Sequence, residues 1–180
     1  MHLSHAKLRG PMPSHCRFAI PVLVSAALLA GSQAAMAWDT KTDSDPMDDK
    51  KTAFMSSTSS DSSLGFKCWE GDPDTSIMMF STGEEYDSSA SYDESIPAQI
   101  HVGKNEPIDV SMVPKNMSGR LFILASLDDD ETRHSIYSQM ASGPDRVALS
   151  LVSMAFKFNG TGLKKSVQKM LEACGAGLTE

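Results

Sequence analysis

Residues 153–174, SMAFKFNGTGLKKSVQKMLEAC, change structural period within a few positions. The segment 153–158 is short, apolar and rich in phenylalanine, as a strand is. From Leu163 onward, Leu163, Val167, Met170, Leu171 and Cys174 fall at i, i+4, i+7, i+8 and i+11, the apolar stripe of one helical face. Lys164, Lys165 and Lys169 lie off that stripe. Thr161 takes the N-cap position and Gly175 the C′ position. The stretch predicts a last strand followed by an amphipathic helix over 161–174 that covers one face of a sheet and carries Cys174 toward Cys68.

Upstream, the chain reads as a series of short strands. Leu64, Phe66 and Cys68 alternate with Gly65, Lys67 and Trp69, the period-2 pattern of a half-buried strand. A first strand is expected over 51–57, with a polar turn at 59–63. The composition of 71–74 (GDPD) is that of a turn, and 77–80 supplies the returning strand. The segment 81–97 is acidic and serine-rich, a long loop or a weak edge strand with Tyr86 and Tyr92 as its large side chains. Further strands are expected at 98–102 and 108–113, separated by Gly103-Lys104-Asn105. The apolar run 121–127 is expected to be a central strand. A charged turn follows at 128–131, with 135–140 pairing back across it, and then a strand over 146–152. The expected fold is α+β: a single β-rich domain, an antiparallel sheet or sandwich, with one C-terminal amphipathic helix.

The first 37 residues read as a cleaved secretory signal. Lys7, Arg9 and Arg17 precede an apolar run over 18–30, and Ala35-Met36-Ala37 offers the small residues a signal peptidase requires. Trp38 is then the first mature residue. The run is roughly a dozen residues and contains Pro21, short of the ~20 that span a bilayer as a helix. Cys16 precedes the run, whereas a lipid-carrying cysteine follows it. Met12 is an alternative start that keeps Arg17, the apolar run and the cleavage site. Residues 38–50 (WDTKTDSDPMDDK) read as an extended arm and 51–180 as the domain.

Removing the signal leaves 143 residues, enough for a real core, and moves the formal charge from −7 to −10. Such acidity argues against nucleic acid or anionic lipid as partners and fits a soluble exported protein. Of three cysteines, Cys68 and Cys174 remain, an even pair in an oxidising compartment, and one disulfide is expected. A loop of about a hundred residues gives it an ideal worth of ~4–5 kcal/mol.

Acidic residues gather at Asp43, Asp45, Asp48 and Asp49, at Asp72 and Asp74, and at Asp128, Asp129, Asp130 and Glu131. None has the alternating ligands, turn glycine and distal glutamate of a calcium loop; solvated turns are the expectation, with a calcium-stabilised domain as a third reading. His101 and His134, without a spare thiolate, do not make a zinc site. No cofactor is expected. No nucleophile elbow or phosphate loop is present; Gly160 and Gly162 lack the rest of a nucleotide fingerprint, and Asn159-Gly160-Thr161, formally a glycosylation sequon, reads as the turn into the helix. Phe66, Phe80, Phe122, Phe156 and Phe158 are expected in the core. Trp69, out of phase with Cys68, faces the other side of its strand, packed under a loop or serving as a binding anchor.

Three stretches, DPMDDKKT at 45–52, LGFKC at 64–68, and FKFNG at 156–160 leading into LEAC at 171–174, together resemble the VasI-type family, small exported proteins associated with type VI secretion loci, and related periplasmic proteins of Gram-negative bacteria. The middle of the chain departs from the family: its Tyr-Arg-Ile-Asp-like strand is not recognisable around 98–106, and 127–146 reads as an altered hairpin. The resemblance implies the β-rich fold, the Cys68–Cys174 bridge and a periplasmic location, and brings no catalytic residues. The expected function is an exported accessory or binding protein that meets a basic envelope partner. Its expected contact residues are Trp69, then Glu84, Glu85 and Asp87 in the acidic loop, and Asp128, Asp129, Asp130 and Glu131 in the charged turn. The rival is an envelope hydrolase using carboxylates with His101 or His134, which requires those groups to converge in one concave pocket.

Overall fold

Alternating strands bury one phase of side chains, and pairing them in register joins those phases into a single apolar face. A computed structural model describes residues 37–44, 50–90 and 94–176. The strands are β1 (Asp39–Ser44), β2 (Lys51–Ser59), β3 (Ser62–Trp69), β4 (Asp72–Glu85), β5 (Ile96–Val102), β6 (Ile108–Met117), β7 (Arg120–Ser126), β8 (Arg146–Leu151) and β9 (Met154–Asn159). Helix α1 (Asp130–Ala141) lies between β7 and β8, and α2 (Leu163–Cys174) follows β9. The strands form one curled antiparallel sheet in the order β1-β2-β3-β4-β7-β6-β5-β8-β9. Among the described residues no helix is long and apolar enough to cross a membrane.

The register explains the core. Met55 pairs with Phe66, Phe66 with Met78, and Met78 with Ala125, all buried. Ile100 pairs with Leu149, and Val102 with Val147, which meets Phe158. β6 changes partner midway: 108–112 pairs with β5 and 113–117 with β7. Pro114, with no N–H to offer a ladder, sits just past that change.

Helix α2 packs on β1 to β4, and α1 on α2, β5 and β6. Cys68 and Cys174 are bonded, with Cα atoms 6.1 Å apart and both side chains buried. Thr40 Oγ1 donates to the Ser166 carbonyl at 2.9 Å, and Lys169 Nζ to the Thr40 carbonyl at 2.9 Å. Trp38 closes the domain at its start. Its ring is buried against Phe66 and Phe158, its Nε1 donates to the Asn159 carbonyl at 2.7 Å, and its backbone N–H to the Thr161 carbonyl at 2.9 Å.

Several expectations are corrected. The segment 135–140 is not a strand: 130–141 is helix α1, so the described residues form two helices. Asp129 caps that helix by accepting from the Thr132 N–H at 2.8 Å, and Asp130 and Glu131 occupy its first turn. The charged turn is thus a helix start, where carboxylates complement the exposed N–H groups. The expected arm includes a paired strand, β1. The expected turn at 71–74 is shorter, and β4 runs on to Glu85, into the acidic segment read as a long loop or a weak edge strand. The N-cap of α2 is Gly162 at φ 78°, not Thr161, and no side chain caps it. Phe122 is half-buried on the face of the sheet opposite the core. Residues 1–36, Asp45, Asp48, Asp49 and Tyr92 lie outside the described residues, as does the side chain of Asp74.

Candidate functional site

Register decides which expected contact residues share a surface. Ile77 of β4 faces Ser126 of β7, and at the far end Glu85 faces Arg120. The Asp128–Glu131 region therefore continues from the end of the sheet where β4 begins, and Glu84, Glu85 and Asp87 stand at the other. With Leu127 beside Ser76 and Glu85 opposite Arg120, the two acidic regions stand about 25–30 Å apart along the strands. They do not form one surface. Trp69 ends β3 at the Asp128 end, half-buried, with the Lys67 ammonium 4.9 Å from its ring centre.

Most of these carboxylates have local work. The hydroxyl and N–H of Ser89 both bond the Asp87 carboxylate, at 2.6 and 2.8 Å, and hold its pKa below the usual range. The Thr132 side chain and N–H do the same to Asp129. Ser126 donates to Asp128 at 2.6 Å, and Asp130 pairs with Arg133, whose Nη1 donates to the Leu127 carbonyl at 3.0 Å. Glu84, Glu85 and Glu131 are exposed. Among the described residues no group of three or more His, Cys, Asp or Glu side chains could hold a metal ion.

The two histidines lie apart in the fold. His134 is exposed on α1, whereas His101 on β5 has its Nε2 3.4 Å from Ser150 Oγ on β8. Beside Ser150 is a shallow depression of about 220 Å³ bordered by Pro97, Gln99, Asp109 and Val152. The Asp109 carboxylate is taken by Gln99 Nε2 at 2.8 Å. Ser150 lies within the ladder joining β8 to β5 and β9, so the neighbouring amides are largely engaged in strand pairing.

The outward face of β2, β4, β7 and β6 carries a feature that reading for the core missed. Phe54, Ile77, Met79, Leu124, Val113 and Phe122 form a half-buried apolar patch on the side away from the helices. The Phe54 ring lies over Gly65, where a Cβ would come within 2.5 Å of it. A sequence signal was present: 77–80 (IMMF) and 121–125 (LFILA) are unbroken apolar runs, the pattern of strands covered on both faces, not one. Compared with protein-family models, curated proteins and solved structures, the chain matches none.

Proposed function

We propose that this chain is an exported accessory or binding protein of the bacterial envelope that works without catalysis. The observation that carries the export half is the buried cystine between β3 and α2, a bond that persists in oxidising compartments. The binding half rests on surfaces: an exposed acidic end at Glu84 and Glu85, and a second end where Trp69 stands with the α1 start. A basic envelope protein is the partner class that suits both ends. The VasI-type resemblance makes a secretion-locus setting the finer form of this reading.

Intact mass of the protein recovered from the periplasm tests export and bridge together. The expected species begins at Trp38 and weighs about 2 Da less than its reduced form; a chain that keeps residues 1–37 or carries free thiols defeats the reading. Crosslinked pull-down from envelope extract tests the partner. Neutralising Glu84, Glu85 and Asp87, or replacing Trp69 with alanine, is expected to reduce capture.

The rival hydrolase reading has one observation in its favour, the approach of His101 to Ser150 beside the depression. Ser150→Ala and His101→Ala are expected to leave turnover of activated esters at background. Turnover by the native chain that either substitution abolishes would establish the rival.

A further inference from the structure

We propose that removal of residues 1–37 has to precede closure of the domain, because the folded chain withdraws the Ala37–Trp38 bond from its peptidase. The proposal rests on the export reading and adds an order of events to it. The cut is a hydrolysis: water adds across the Ala37–Trp38 peptide bond, leaving a carboxylate on Ala37 and an amine on Trp38. A peptidase takes residues on both sides of that bond into its cleft, and the small Ala35 and Ala37 serve only the upstream side. Downstream, three consecutive residues are held. Trp38 is 4% exposed, with its ring centre 6.2 Å from that of Phe66 and 6.5 Å from that of Phe158, and its Nε1 bonded to the Asn159 carbonyl. Asp39 enters the ladder opposite Ser56 of β2. Thr40 is buried, its hydroxyl bonded to Ser166 and its carbonyl to Lys169, both on α2. Gly162 closes the seat, for a Cβ there would stand 2.8 Å from the Trp38 carbonyl oxygen. Ala37 is exposed, so the bond stands where the accessible chain becomes the locked one.

The seat is assembled from the far end of the chain. Trp38 and Asn159 are 121 positions apart, and the cystine that fastens α2 is made by Cys174. A chain delivered N-terminus first presents the Ala37–Trp38 bond before 158–174 arrive to cover its downstream side. The Trp38 amide meets the Thr161 carbonyl at 2.9 Å, and the amine formed by the cut keeps N–H donors for that carbonyl. The seat therefore holds the cleaved chain as it holds the uncleaved one.

The test is an order-of-addition experiment on the full-length precursor in detergent micelles. One sample is diluted from urea straight into signal peptidase, and the other is refolded and oxidised first; mass spectrometry reads the site and rate of the cut. The chain diluted from urea is expected to be cut between Ala37 and Trp38, and the refolded chain to be cut there about a hundredfold or more slower, through local opening alone. Gly162→Ala lies far from the segment the peptidase reads. It is expected to speed the cut of the refolded chain about tenfold and to leave the other rate unchanged. Trp38→Phe keeps an apolar ring but loses the Nε1 bond, and is expected to narrow the ratio of the two rates even if Gly162→Ala does not fold. A precursor that gains its native strand signal only after the cut establishes the same order. Equal rates before and after folding overturn the proposal and leave the export reading standing. A chain diluted from urea that is not cut at this bond defeats the export reading, and the proposal with it.

Discussion

Val152 and Tyr137 show how single residues hold free energy in reserve. Val152 occupies the two-residue turn between β8 and β9 at φ 49°, a left-handed conformation that a β-branched side chain resists, and it is 81% exposed. Asparagine tolerates that conformation, so Val152→Asn is expected to stabilise the domain by ~0.5–1 kcal/mol, read from the urea midpoint. Tyr137 is buried against Phe66 on α1. Its hydroxyl lies beside that of Ser76, but neither makes a well-aligned hydrogen bond among the described residues. Burial pushes its pKa up to about 12. The unfolded chain ionises its tyrosine near pH 10, before the folded one does. Stability is therefore unaffected by Tyr137 below that pH and falls between about pH 10 and 12, by ~2–3 kcal/mol in all. Alkaline melting curves should show the fall, and Tyr137→Phe should remove it at little cost near neutrality, since it deletes a hydroxyl that makes no well-aligned bond. A native chain whose melting is flat to pH 12 would contradict this.

At the scale of elements, the connections are held by close backbone approach. Between β9 and α2, Gly160 lies so near the connection from α1 to β8 that a Cβ would stand 1.8 Å from the Pro144 carbonyl oxygen, and its N–H donates to the Asp145 carbonyl at 2.7 Å. Gly160→Ala therefore forces one of the two connections to move, and a loss of ~1–3 kcal/mol is expected in chemical denaturation. A substitution without effect would mean that the connections yield freely. Helix α1 shows why an element was misread. Its buried residues are Ile136, Tyr137 and Met140, too few in 12 residues to make a stripe visible in the sequence. The capping pattern was legible, with Asp129 three residues before Thr132 and two carboxylates between, but an acidic run after a strand reads as readily as a turn. Helix α2, with apolar residues at five positions of one face, carried its period openly.

On the scale of the whole molecule, the cystine and Trp38 tie distant parts of the chain together. The bond between Cys68 and Cys174 spans a sequence separation of 106, and in the chain-entropy account a loop of that length is worth ~4–5 kcal/mol. Reduction, or Cys174→Ser, is expected to lower the melting temperature by many degrees while the strand signal of the residual folded state persists. An unchanged transition would mean that the bond does not constrain the unfolded chain. Trp38 acts from the other end, joining the start of β1 to the close of β9 and the turn after it through two hydrogen bonds, with ring contacts to Phe158 of β9 and Phe66 of β3.

Local patterns in the sequence determined much of this protein. Period-2 alternation marked β3, the 3.6-residue period marked α2, and the count of cysteines after residue 37 anticipated the Cys68–Cys174 bridge. These depend on each residue and its near neighbours, which is all that periodicity records. Only the tertiary structure decided what depends on strand order and register. It showed that β6 serves two neighbours, that the acidic regions stand at opposite ends of β4, and that Asp129 caps a helix. It also showed that the second apolar phase of β4 and β7 faces outward. Unbroken runs such as 77–80 announce two covered faces, but a sequence does not say which element covers each. Here the helices and the cystine close one face, and the apolar residues of the other are left partly exposed because no element of the described domain packs on it.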